Sequence, residues 1–79
     1  MPGVIENMPA EARLERLRAL AEAILSIVRE RGSMTLIDAL SATAARLRTA
    51  VSQVKQGLNY ALSNSMLRLT GDDMLSATA

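Results

Sequence analysis

Cysteine, histidine, phenylalanine and tryptophan are all absent, and tyrosine occurs once, at position 60. The missing cysteine excludes the disulfide staples that a secreted chain of 79 residues would be expected to use. With no cysteine or histidine, a structural zinc site would have carboxylates alone, so no metal is expected. Without large aromatic rings the core has to be aliphatic, and so small a core commonly gains stability by oligomerising. No apolar run approaches the roughly 20 residues of a membrane span. The opening MPGVIENMPAEA lacks the basic-then-apolar layout of a signal peptide. The expected setting is the cytoplasm, with no membrane partner. The sequence also offers no glycine-rich phosphate loop and no carboxylate pair at an acid–base spacing. Neither an enzyme nor a cofactor is therefore expected.

Acidic residues are missing from one long stretch. Residues 1–38 hold Glu6, Glu11, Glu15, Glu22, Glu30 and Asp38 against Arg13, Arg16, Arg18, Arg29 and Arg31. Residues 39–71 hold Arg46, Arg48, Lys55 and Arg68 and no acid at all. The net charge of +1 says little, but positive charge is concentrated in the second half. Apolar residues make up 49% of the chain, enough for a folded domain and too many for a disordered one.

Residues 1–8 read as a loose arm, and residues 9–79 as a single domain. Pro9 suits the first turn of a helix, and Glu11 complements the dipole there. Leu14, Leu17, Ala21, Ile24 and Val28 then recur at steps of three and four as far as Arg31. Gly32 is the expected terminator, which predicts a helix over 9–31, about 35 Å long at 1.5 Å per residue. Ser33-Met34 reads as a short extended link. Thr35 followed by Asp38 has the spacing of a capping box and predicts a helix over 36–43. The hydroxyls of Ser41 and Thr43 suggest a turn within residues 41–45, before a third helix over 45–62. Beyond it, Met66–Thr70 and Asp73–Ala77 read as two strands of a hairpin over 66–77. Gly71-Asp72 between them is placed to form a type II′ turn.

A long helix, a link, a helix, a turn, a helix and a hairpin follow one another in winged helix–turn–helix DNA-binding domains. Residues 24–78 carry the likeness. "ILSIVRERG" resembles the end of a first helix, "TAVSQVKQGL" a recognition helix and "SMLRLTGDDML" a wing. The chain resembles small bacterial and phage transcriptional repressors of that class in architecture, without a specific family signature. The fold this implies is mainly α with a small C-terminal β-hairpin, in which Val51 and Val54 pack against Leu40. The function it implies is sequence-specific or general binding of double-stranded DNA by a small transcriptional regulator, with a recognition helix at about 46–62. Arg46, Arg48, Thr49, Ser52, Gln53, Lys55, Gln56, Asn59 and Arg68 would then meet the duplex. Gln53 and Gln56 are the natural base readers, and the cations neutralise phosphates. Asp72 and Asp73 would repel phosphate at the wing tip.

Few phosphate contacts are available to one subunit, so a homodimer is expected to bring two recognition helices together. Leu14, Leu17, Leu20 and Ala21 on the long N-terminal helix would form its seam, at heptad-like spacing. A different architecture fits the same pattern. From Leu40 through Ala44, Leu47, Val51, Val54, Leu58 and Ala61 the three-four alternation continues without a break. Residues 36–62 could therefore be one helix, antiparallel to the first, in an all-α hairpin that dimerises into a four-helix bundle. Its function would be protein–protein interaction, as an adaptor, inhibitor or assembly subunit, with no DNA binding. Tyr60 is expected to half-cover the core with its polar tip outward.

Overall fold

The computed structural model describes residues 9–78, and the arm expected over 1–8 lies outside the described residues. The element order is α1 (Ala10–Arg31), β1 (Ser33–Thr35), α2 (Leu36–Leu47), α3 (Val51–Ser63), β2 (Leu67–Leu69) and β3 (Met74–Ala77). The strands form an antiparallel sheet in the order β1-β3-β2, and α1 packs on both other helices and on β3.

In α1 the buried residues are Leu20, Ala21, Ile24, Ile27 and Val28, one stripe at i, i+1, i+4, i+7 and i+8. The stripe begins only at Leu20. Upstream, Leu14 is exposed and Leu17 half-buried. Leu20 and Ala21 are fully enclosed by their own chain, so they are core residues and not the dimer seam expected of them. Gly32 closes the helix at φ 86°, ψ −79°, backbone that a Cβ would strain.

At the start of α2 the Asp38 N–H donates to the Thr35 hydroxyl at 3.1 Å, as the cap spacing predicts. The turn expected within 41–45 is not there. Ser41 and Thr43 continue the helix among good helix formers, and Thr43 is buried beside Ala39, Leu40 and Ala44. The chain turns instead at Arg48–Ala50. Arg48 is left-handed (φ 52°, ψ 49°), its N–H donates to the Ala45 carbonyl, and the Thr49 N–H donates to Ala44 at 3.0 Å. These two bonds make a Schellman closure in which arginine takes the place glycine usually fills. The break also overturns the single helix over 36–62, and with it the helical-hairpin bundle. Leu47 and Val51, which would carry the stripe across the joint, are exposed. Val54, Leu58 and Ala61 are buried on α3, and the expected packing of Val51 inward beside Val54 does not occur.

α3 crosses α1 closely at Gly57. A Cβ added there would overlap the Leu20 Cβ and stand 3.2 Å from the Leu20 carbonyl carbon. The helix ends in a second Schellman closure. The Ser65 N–H donates to Leu62 at 3.2 Å and the Met66 N–H to Ala61 at 2.9 Å, with Ser65 left-handed at φ 58°.

The hairpin is present, and it gains a third strand that reads from sequence only as a link. Met34 in β1 lies opposite Leu75 in the central strand, and Leu75 also lies opposite Leu69 in β2. The hairpin loop is not a type II′ turn at Gly71. The Asp73 N–H donates to Thr70 at 3.1 Å, the Thr70 N–H donates to Met74 at 2.9 Å, and Asp73 is left-handed at φ 56°. This is a three-residue loop closed by a left-handed residue, a conformation aspartate tolerates better than most. The Leu36 N–H donates to the Asp73 carbonyl at 2.8 Å, tying the loop to the start of α2.

Candidate functional site

The residues expected to meet DNA fall on four different parts of the fold. Arg46 is in the last turn of α2, where its guanidinium pairs with Glu30 of α1 at 3.0 Å. Arg48 and Thr49 form the joint before α3. Ser52, Gln53, Lys55, Gln56 and Asn59 lie on α3, and Arg68 is exposed in β2 opposite Ser76. The break at Arg48–Ala50 therefore removes two of the three cations of residues 46–55 from the helix that was to carry them.

On α3, Val51, Lys55 and Asn59 form the exposed stripe at i, i+4 and i+8, with Ser52 beside them. Gln53 and Gln56 are half-buried, and the Gln53 carbonyl oxygen accepts from the Thr49 hydroxyl at 3.2 Å. Lys55 is the one charged residue of the helix. Tyr60 is half-buried, and its hydroxyl hydrogen-bonds the Arg18 side chain. That bond, with the attraction of the Tyr60 phenolic oxygen, raises the guanidinium above its ordinary pKa. Tyr60 thus faces α1 rather than a ligand.

The joint between α2 and α3 has a surface that the sequence pattern conceals. Leu47 is 38% exposed and Val51 42% exposed, at the two ends of the three-residue turn. Both sit in phase with the buried stripe, so spacing alone assigns them to the core. The one local hint is Ala50 at the N-cap of α3, where no side chain caps the helix and no acid occupies its first turn. Among the described residues no carboxylate is paired with Arg48 or Lys55. The joint therefore presents two apolar side chains, two unpaired cations and an uncapped helix start.

The most exposed large apolar residue among those described lies by the hairpin loop. Ile37 is 73% exposed. With Thr35, Leu36, Asp38, Asp72 and Asp73 it lines a groove of about 450 Å³. Among the described residues no group of three or more metal-ligating side chains gathers, and no helix is long and apolar enough to cross a membrane.

No family model matches this sequence, and no curated protein matches it. Among solved structures it is similar to a chain of "A Dual E3 Mechanism for Rub1 Ligation to Cdc53: Dcn1(P)-Cdc53(WHB)". The TM-score is 0.74 over 92% of this chain and 98% of that one, at 17% identity. The fold is a winged helix.

That neighbour is a winged-helix domain of Cdc53 paired with a protein, Dcn1. It corrects the expectation that this architecture implies double-stranded DNA, or a homodimer through the N-terminal helix, as partner. The geometry runs the same way. Cations that neutralise phosphate supply much of the affinity for a duplex, and α3 offers Lys55 alone. A seam through α1 needs Leu20 and Ala21 free, and the core encloses both.

Proposed function

We propose that this winged helix is a protein–protein interaction module that docks a partner protein at the joint between α2 and α3. The observation that carries the reading is the exposure of Leu47 and Val51 beside a turn rimmed by Arg48, Thr49, Ser52 and Lys55. An apolar centre with a polar rim is the anatomy of a docking patch, whereas a duplex interface is more polar and much more positively charged. The pairing of Cdc53(WHB) with Dcn1 supports this reading as an example of the fold meeting a protein. The module acts by binding, as an adaptor does, and performs no chemistry of its own.

The test is site-specific photo-crosslinking in the cells that make the protein. A photoreactive residue at exposed Ser52, next to Val51, should yield one discrete protein adduct, while one at exposed Glu11 should not. Leu47→Asp with Val51→Asp should abolish the adduct and leave the thermal midpoint within a few degrees of the parent. An adduct equally strong from position 11, or one that survives the double substitution, overturns the reading.

A further inference from the structure

We infer that the segment docking on this joint is an acidic amphipathic peptide, with apolar side chains for Leu47 and Val51 and carboxylates for Arg48 and Lys55. The inference rests on the docking reading above and specifies the chemistry of its partner. Charge complementarity supports it. Residues 39–71 contain no acid, and the only described carboxylate that reaches a cation of this region, Glu30, is taken up by Arg46. Arg48 and Lys55 are exposed and have no carboxylate partner among the described residues, so a partner's acids meet them without displacing an ion pair there.

The spacing suits one short segment. Val51 and Lys55 stand one turn apart on the exposed stripe of α3, and exposed Leu47 and Arg48 end α2 just before the turn that leads into it. Each side of the turn thus offers one exposed apolar residue and one exposed cation. The start of α3 adds to the same preference. Ala50 supplies no cap and the first turn holds no acid, so the helix dipole there is uncompensated and favours an incoming carboxylate. A basic segment would meet repulsion from both cations and from the dipole.

The probe is a short fluorescein-labelled peptide with leucine and glutamate at helical spacing, titrated against the full chain by anisotropy. One companion replaces every glutamate by lysine, and another replaces every leucine by serine. The leucine–glutamate peptide should bind roughly tenfold more tightly than either companion, the gain expected of two partly exposed charge pairs and a shared apolar contact. Its affinity should fall as salt rises. Arg48→Glu with Lys55→Glu should reverse the order of the glutamate and lysine peptides. Should that variant fold poorly, Arg48→Asn with Lys55→Gln removes the charges with a residue that tolerates left-handed backbone, and should abolish the preference. Equal or tighter binding of the lysine peptide overturns the inference. If that binding is still lost on Leu47→Ser with Val51→Ser, the docking reading survives alone. If no peptide depends on Leu47 and Val51, both fall. Displacement of the acidic peptide by a short DNA duplex at equal charge concentration also overturns the inference, since the site would then be reading charge without the apolar contact.

Discussion

Gly57→Ala is the substitution for which local propensity and tertiary packing give opposite answers. Alanine is the better helix former by about 1 kcal/mol, so an isolated α3 would be strengthened. In the folded chain the new Cβ would overlap the Leu20 Cβ, while standing 3.2 Å from the Leu20 carbonyl carbon and 3.3 Å from the Ala21 nitrogen. All three atoms belong to α1 close to its axis, and none can swing aside by a rotamer change. The helices have to separate. Overpacking a well-filled core costs roughly 1–3 kcal/mol, and a clash with such atoms belongs near the upper end. Subtracting the propensity gain leaves a loss of about 2 kcal/mol. At 4–8 °C per kcal/mol for a domain of this size, the thermal midpoint should fall by roughly 8–16 °C. Far-ultraviolet circular dichroism during a thermal scan, with a urea titration beside it, reads this directly. Gly71→Ala is the internal control. Nothing lies within 4 Å of a Cβ there, and its φ is not left-handed, so the same exchange should stabilise by about 0.4–1 kcal/mol. A Gly57→Ala protein as stable as the parent, or more so, would refute the close crossing of α1 and α3.

The fully buried Thr43 hydroxyl has no hydrogen-bond partner, so Thr43→Val, nearly the same shape, should raise stability by about 1 kcal/mol and the midpoint by several degrees; a lower midpoint would mean the hydroxyl is satisfied. Thr35→Ala removes the cap on the Asp38 N–H and should cost about 1 kcal/mol, read as a lower urea midpoint. Left-handed Ser65 closes α3, and Ser65→Gly should relieve that backbone for a net gain of roughly 0.5–1 kcal/mol after glycine's added unfolded-state freedom is subtracted. An unchanged thermal midpoint would count against the strain at that position.

Much of the architecture is readable from local chemistry. The stripe from Ile24 to Val28, the glycine after Arg31 and the Thr35–Asp38 cap act over one or two turns, and the structure keeps all of them. The paired strands after residue 66 are likewise present. β1 escaped because three residues carry no usable period, and its partner β3 lies some forty positions away. The joint at Arg48–Ala50 escaped for another reason. Its left-handed residue is an arginine, and the apolar alternation runs through it unbroken, so neither composition nor spacing marks the turn. The candidate docking surface went unread with it, because Leu47 and Val51 become surface residues only once the chain bends between them.

By itself, then, the sequence determined an aliphatic, cysteine-free domain, the first helix and its stop, the cap of the second, and an acid-free second half. These depend on side-chain spacing and on hydrogen bonds between near neighbours. Where α2 ends, which face of α3 is buried, and whether Leu20 serves a core or a dimer were decided by packing. α1 meets α3 at Gly57 and encloses Leu20, and that contact leaves Val51 and Lys55 facing outward. A periodic pattern marks which residues share a face. Only the neighbours that arrive determine whether that face is covered, and here they leave the joint between α2 and α3 open.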